Sequence, residues 1–104
     1  MASTEELITF VSEQCDGLSV RAMMGDYVLY YRGKVVGGIY DNRLLIKPTP
    51  SANALMPDAV RQLPYDGAKE MLLVENIEDK EFMQKLFDAL YAELPERKPK
   101  KNRL

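Results

Sequence analysis

The stretch from Val20 to Lys47, V-R-A-M-M-G-D-Y-V-L-Y-Y-R-G-K-V-V-G-G-I-Y-D-N-R-L-L-I-K, limits what this chain can fold into more than any other. Short apolar runs rich in Val, Ile and Tyr are cut by Gly-Asp, Arg-Gly-Lys and Asp-Asn, the pattern of a short antiparallel meander. Tyr27 to Tyr31 and Val35 to Tyr40 read as strands joined through Arg32-Gly33-Lys34, where Gly33 can take positive φ. Asp41-Asn42 makes the next reversal, because both side chains tolerate left-handed backbone and hydrogen-bond locally. Leu44 to Lys47 closes the run, and Ser19 to Met24 leads into it as a strand of its own, with Gly25-Asp26 as the turn. Gly37-Gly38 inside a strand predicts a bulge or a close approach by a helix backbone.

A sheet of this kind needs a cover. Ser3-Thr4-Glu5-Glu6 fits a capping box, and Leu7, Ile8, Phe10, Val11, Gln14, Cys15 and Leu18 follow at helical spacing until Gly17 offers a left-handed stop. Near the other end Asp79 opens a second helix whose apolar positions Phe82, Met83, Leu86, Phe87, Leu90, Tyr91 and Leu94 hold one face until Pro95. Between them Pro48, Pro50, Pro57 and Pro64 leave room for one short helix, at Ser51 to Met56 or Asp58 to Leu63. Pro64-Tyr65-Asp66-Gly67 then turns into a strand from Lys69 to Glu75. The order is helix, four strands, short helix, strand, helix. That predicts a two-layer α+β domain over 3–95, a curved antiparallel sheet of about five strands with two long helices on one face. Residues 96–104, E-R-K-P-K-K-N-R-L, lack apolar periodicity and are expected to be a disordered basic tail.

Composition bounds the chemistry. At 104 residues the chain is long enough to bury roughly 60–70% of its unfolded surface as one domain without staples. It has no histidine and one cysteine, so Cys15 has no internal disulfide partner and no imidazole to activate it; it is expected to be a small buried apolar group. No metal and no cofactor is expected. The glycines do not form a phosphate-binding loop, and Asp26 and Asp41 stand at turns, where solvation keeps carboxylates from dividing into acid and base. No enzyme is expected. There is no apolar run near the ~20 residues that span a bilayer, and acids stand where a signal peptide is basic, so the expectation is a cytoplasmic protein without membrane contact.

Residues 1–95 carry nine basic and fifteen acidic residues, net −6, whereas 96–104 carry five basic residues and one acid, net +4. An acidic body repels phosphate backbones, so direct nucleic-acid binding would fall to the tail. The residues that stand out for recognition are the tyrosines. Tyr27, Leu29 and Tyr31 share one strand face and Val28 and Tyr30 the other, so tyrosines occur on both sides of the sheet. With Arg21, Arg32, Arg43 or Lys47 nearby they can make an aromatic and basic surface, and Met23 and Met24 can add an adaptable apolar patch. Arg21 and Arg43 can instead pair with Asp26, Asp41 or Glu75 across strands.

Arg21, Met23, Met24, Gly25, Tyr27, Leu29 and Tyr30, then Gly33, then Asp41, Arg43, Leu44, Ile46 and Lys47 resemble the run R-x-M-F-G-x-Y-x-L-Y, glycine turn, D-x-R-L-Y-L-K of the TfoX/Sxy N-terminal domain. Met24 stands in place of the usual phenylalanine. The likeness extends over residues 5 to 94, including Pro64-Tyr65 and the Met71 strand. It implies a fold similar to type III secretion chaperones and a non-enzymatic role as regulator or co-regulator of transcription, of the competence type. Its partner would be another protein, such as a transcription factor or polymerase component, with the domain acting as monomer or homodimer. Members of the competence pathway carry a second domain that follows this one. Candidate partner contacts are Arg21, Tyr27, Tyr30, Tyr40 and Arg43. The alternative is a nucleic-acid-binding module using Arg97, Lys98, Lys100, Lys101 and Arg103 of the tail with the sheet tyrosines.

Overall fold

The computed structural model describes residues 5–23 and 25–94. Helix α1 (Glu5–Ser12) is followed by strands β1 (Leu18–Met23), β2 (Asp26–Tyr31), β3 (Lys34–Tyr40) and β4 (Arg43–Ile46), helix α2 (Pro50–Leu55), strands β5 (Arg61–Gln62) and β6 (Met71–Val74), and helix α3 (Lys80–Glu93). The strands form one open antiparallel sheet in the order β1-β2-β3-β4-β6-β5. The fold is α+β, with six strands rather than about five. The extra strand, β5, has two residues and lies where the prolines suggested only helix or loop; Pro50–Leu55 is the short helix, closest to the Ser51 to Met56 option. Ser3 of the capping box, Met24, Pro95 and the tail lie outside the described residues.

The meander forms because its turns accept positive φ. Arg32 and Gly33 sit at φ 52° and 88°, and Asp41 and Asn42 at 51° and 61°. These are two-residue turns with both central residues left-handed, whose twist matches that of the flanking strands. Helix α1 ends at Ser12, earlier than its periodicity suggests, and the next residues turn toward Gly17. There the Gln14 amide donates to the Ile77 carbonyl at 2.7 Å, and Cys15 is buried, so the stripe stays in the core after the helix has stopped.

Leu29, Tyr31, Val36, Ile39, Leu44, Ile46, Leu72 and Val74 of the sheet join Val11 of α1 and Met83, Leu86, Phe87 and Leu90 of α3 in one core. Each such side chain is worth about 1.5–3 kcal/mol when withdrawn from water. Helix α3 is capped at its start by Asp79, whose carboxylate accepts from the Phe82 amide at 3.0 Å. At its end Lys34 Nζ donates to the Tyr91 and Leu94 carbonyls, both at 2.8 Å, and lies 4.1 Å from the Tyr91 ring centre. A β3 side chain thus neutralises the carbonyl end of the helix lying over it.

The register slips between Leu29 and Tyr30 of β2, leaving Val36 as the extra residue of β3 beside Gly37. The bulge expected at the glycine pair is there, but the close approach is made by a strand and a tyrosine, not by a helix. A Cβ on Gly37 would strike the Leu45 carbonyl oxygen and stand 2.8 Å from Ile46 Cα. A Cβ on Gly38 would stand 2.6 Å from both the Tyr27 carbonyl oxygen and the Tyr40 hydroxyl.

Candidate partner-binding groove

With the helices on one face, the other face carries Ser19, Arg21 and Met23 of β1, Val28 and Tyr30 of β2, Val35, Gly38 and Tyr40 of β3, and Arg43 and Leu45 of β4, as the strand register requires. It is only partly covered. The chain between β5 and β6 folds back over it, so Leu45 and Pro64 are buried while Tyr65 stays 60% exposed. Between that segment and the floor of β2 and β3 runs a groove of two chambers.

One chamber, about 430 Å³, is lined by Met23, Asp26, Val28, Tyr40 and Tyr65. The other, about 420 Å³, is lined by Val28, Val35, Gly37, Tyr40, Lys47 and Lys69 with Pro48, Pro64, Tyr65, Ala68 and Met71. They share Val28, Tyr40 and Tyr65, and the two tyrosine rings meet edge-on with centres 6.3 Å apart. The lack of a side chain at Gly38 lets the Tyr40 ring lie along the sheet, so the glycine shapes the floor. Burial pushes the Tyr40 hydroxyl above the usual phenol range, and neighbouring Tyr65 and the charge of Asp26 add to it. Tyr40 is therefore neutral at physiological pH and can donate a hydrogen bond.

Arg43 builds the wall. Its Nε donates to the Tyr40 carbonyl at 3.0 Å, Nη1 to Gln62 Oε1 at 2.7 Å and to the Leu63 carbonyl at 3.2 Å, and Nη2 to the Pro64 carbonyl at 3.4 Å. The planar guanidinium reaches acceptors that an ammonium could not reach together. These bonds hold the start of the segment that overhangs the groove.

The candidates from sequence separate accordingly. Tyr40 lines the groove, and Arg43 supports it from the side; its hydrogen bonds go to neutral acceptors, while of the expected carboxylates Asp41 feels its charge. Arg21 and Tyr30 line a separate depression of about 340 Å³ with Ser19, Val20 and Gly33, near the β1 edge. Tyr27 is not brought to the groove: half-buried, it faces the helices and packs against the core, because its pairing partners Ala22 and Ile39 lie on the covered side. Arg32 also lies on that side, 5.2 Å from the Tyr31 ring centre. Arg97, Lys98, Lys100, Lys101 and Arg103 lie outside the described residues. Sequence reasoning missed Tyr65, Met71 and Lys69 as groove residues; the one signal was an aromatic residue in the Pro64-to-Gly67 turn, which a turn does not need. Met23, weighed as part of an adaptable patch, is 48% exposed and lines the groove.

A protein of Spirochaeta aurantia, described as an uncharacterized 12.7 kDa protein in the trpE 5′ region, is 36% identical over 105 residues, covering 97% of this chain and 91% of that protein. The chain belongs to its family. A second relative, the mouse glycoprotein endo-alpha-1,2-mannosidase, is 36% identical over 78 residues, which is 65% of this chain and 17% of the mannosidase. No family model and no solved structure matches the chain. Among the described residues no helix is long and apolar enough to cross a membrane, and no group of three potential metal ligands occurs.

Proposed function

We propose that this chain is a non-enzymatic protein-interaction module that acts as a regulator or co-regulator of transcription, as its resemblance to the TfoX/Sxy N-terminal domain implies, and that it holds its partner in the groove on the open sheet face. The observation that carries the reading is the two-chambered apolar groove around Tyr40 and Tyr65, with Tyr65 and Met23 left exposed beside it. Exposed aromatic and methionine side chains over a preformed concave floor are what recognition of another chain uses. The flanking strands β2, β3 and β4 are paired on both sides, so their backbone is spent in the ladder and recognition in the groove is by side chains rather than by adding a strand. The mannosidase's activity is not carried over, since the likeness covers 17% of that protein.

Photo-crosslinking in the native cell tests this. A benzoyl-phenylalanine placed at Met71, in the groove, should capture a component of the transcription machinery that the same probe at Phe10, on α1, does not. Equal capture from both positions, or a groove adduct unrelated to transcription, refutes the assignment.

A further inference from the structure

The groove differs in charge along its length. Lys47, which follows β4, and Lys69, which precedes β6, both line the chamber floored by Val28, Val35 and Gly37, and no carboxylate is among the described residues lining it. The other chamber has Asp26 and no cation among its described lining residues. On a body whose residues 1–95 carry net −6, two lysines facing one apolar chamber reverse the local sign. Each chamber is within the roughly 300–1,000 Å³ range of ligand sites and large enough for apolar side chains.

We propose that the occupant is an extended segment of a partner protein whose apolar or aromatic side chains fill the chamber beside Tyr40 and Tyr65 and whose adjoining acidic residue lies against Lys47 and Lys69. This rests on the groove being the partner site, and adds the partner's chemistry and the end of the groove that its acidic residue takes. The apolar anchors supply affinity, and the lysine pair, at the rim, sets register and selects against basic segments. Asp26 marks the opposite end and disfavours a second acid there.

Random octapeptides displayed on phage, selected in parallel on the full wild-type chain, on Lys47→Glu/Lys69→Glu, on Val28→Arg, which fills the groove, and on Tyr65→Ala, which removes its aromatic wall, test it. Wild type should enrich peptides with an apolar or aromatic pair flanked, on one side or the other, within about three positions by Asp or Glu. The double charge reversal should weaken those peptides roughly 5- to 20-fold at low salt and enrich Lys or Arg at that position instead. Enriched apolar pairs without acidic bias, or a charge reversal that leaves the selected set unchanged, overturn this inference and leave the groove reading standing. Enrichment of this chain's own segments, with the protein a dimer by light scattering, replaces the partner by a second copy and also overturns it. If nothing is enriched, or the enriched peptides bind Val28→Arg and Tyr65→Ala as well as wild type, the groove reading falls too. Tyr65 is exposed, so its replacement leaves the core intact and that outcome readable.

Discussion

Replacing Arg43 separates a clamp from a contact. Two of its hydrogen bonds are short enough, and reach far enough along the chain, to matter most: Nη1 to Gln62 Oε1 at 2.7 Å and Nη1 to the Leu63 carbonyl at 3.2 Å. The bond to Tyr40 is local and that to Pro64 is long, at 3.0 and 3.4 Å. A hydrogen bond from a charged donor contributes about 1.5–3 kcal/mol when well buried. Arg43 is half-buried, so water replaces part of each bond. Arg43→Met should therefore cost about 1–2 kcal/mol in all, lowering Tm by roughly 4–12 °C for a domain of this size. Arg43→Lys keeps the charge and loses the fork, so it should recover less than half of that.

The loss should also be local. The Ala68 amide, which donates to the Tyr65 carbonyl at 3.2 Å, should exchange with solvent faster in Arg43→Met, while amides in the β2–β3 ladder keep their protection relative to global stability. Urea titration and hydrogen exchange by mass spectrometry read the two effects. If Arg43→Lys equals wild type, charge alone is what the site needs and the clamp is wrong. If Arg43→Met changes neither stability nor exchange in 63–70, the groove wall is held by other contacts.

Three further outcomes follow from the packing. Gly37→Ala should destabilise by about 1–3 kcal/mol, toward the upper end because the new methyl meets the backbone of Leu45 and Ile46 and not a side chain that can swing aside, as a denaturant midpoint will show. Lys34→Met should cost about 1–2 kcal/mol, since two helix-end carbonyls at 2.8 Å lose a charged donor at a half-buried site, and the last turn of α3 should fray in amide exchange. Glu93 accepts from the Ser51 hydroxyl at 2.6 Å and the Ser51 amide at 3.0 Å, which holds its carboxyl below the ordinary value of 4.5. A depressed folded-state pKa means its stabilisation is fully present above about pH 4.5 and disappears as pH falls through the folded value, so the gap in Tm between wild type and Glu93→Gln should close on acidification; a gap constant from pH 7 to 3 refutes this.

What sequence could reveal divides by the range of the interaction that decides it. The two-residue turns at Arg32-Gly33 and Asp41-Asn42 were legible because the residues that tolerate positive φ act within the turn itself. The helix stripes were legible because Leu86, Phe87 and Leu90 repeat at a period that the helix alone imposes. Alternation put Tyr27 and Tyr30 on opposite faces, but which face the helices cover depends on contacts with α3, far along the chain, where the Tyr31 hydroxyl donates to Asp88 Oδ1 at 2.5 Å and its ring stacks on Phe87 with centres 5.8 Å apart. That choice buries Tyr31, turns Tyr27 inward with it and leaves Tyr30 and Tyr40 outward. Arg43 was visible as a cation on a strand, yet its acceptors arrive 19 to 21 residues later, in a proline-broken segment with little periodicity of its own. The groove belongs to this last class: its floor is written in the meander, its overhang in the 63–70 segment, and the Arg43 guanidinium and the Tyr40–Tyr65 ring contact join them. A substitution at Arg43 should thus change binding without touching the partner, and that separates a residue that shapes the site from one that occupies it.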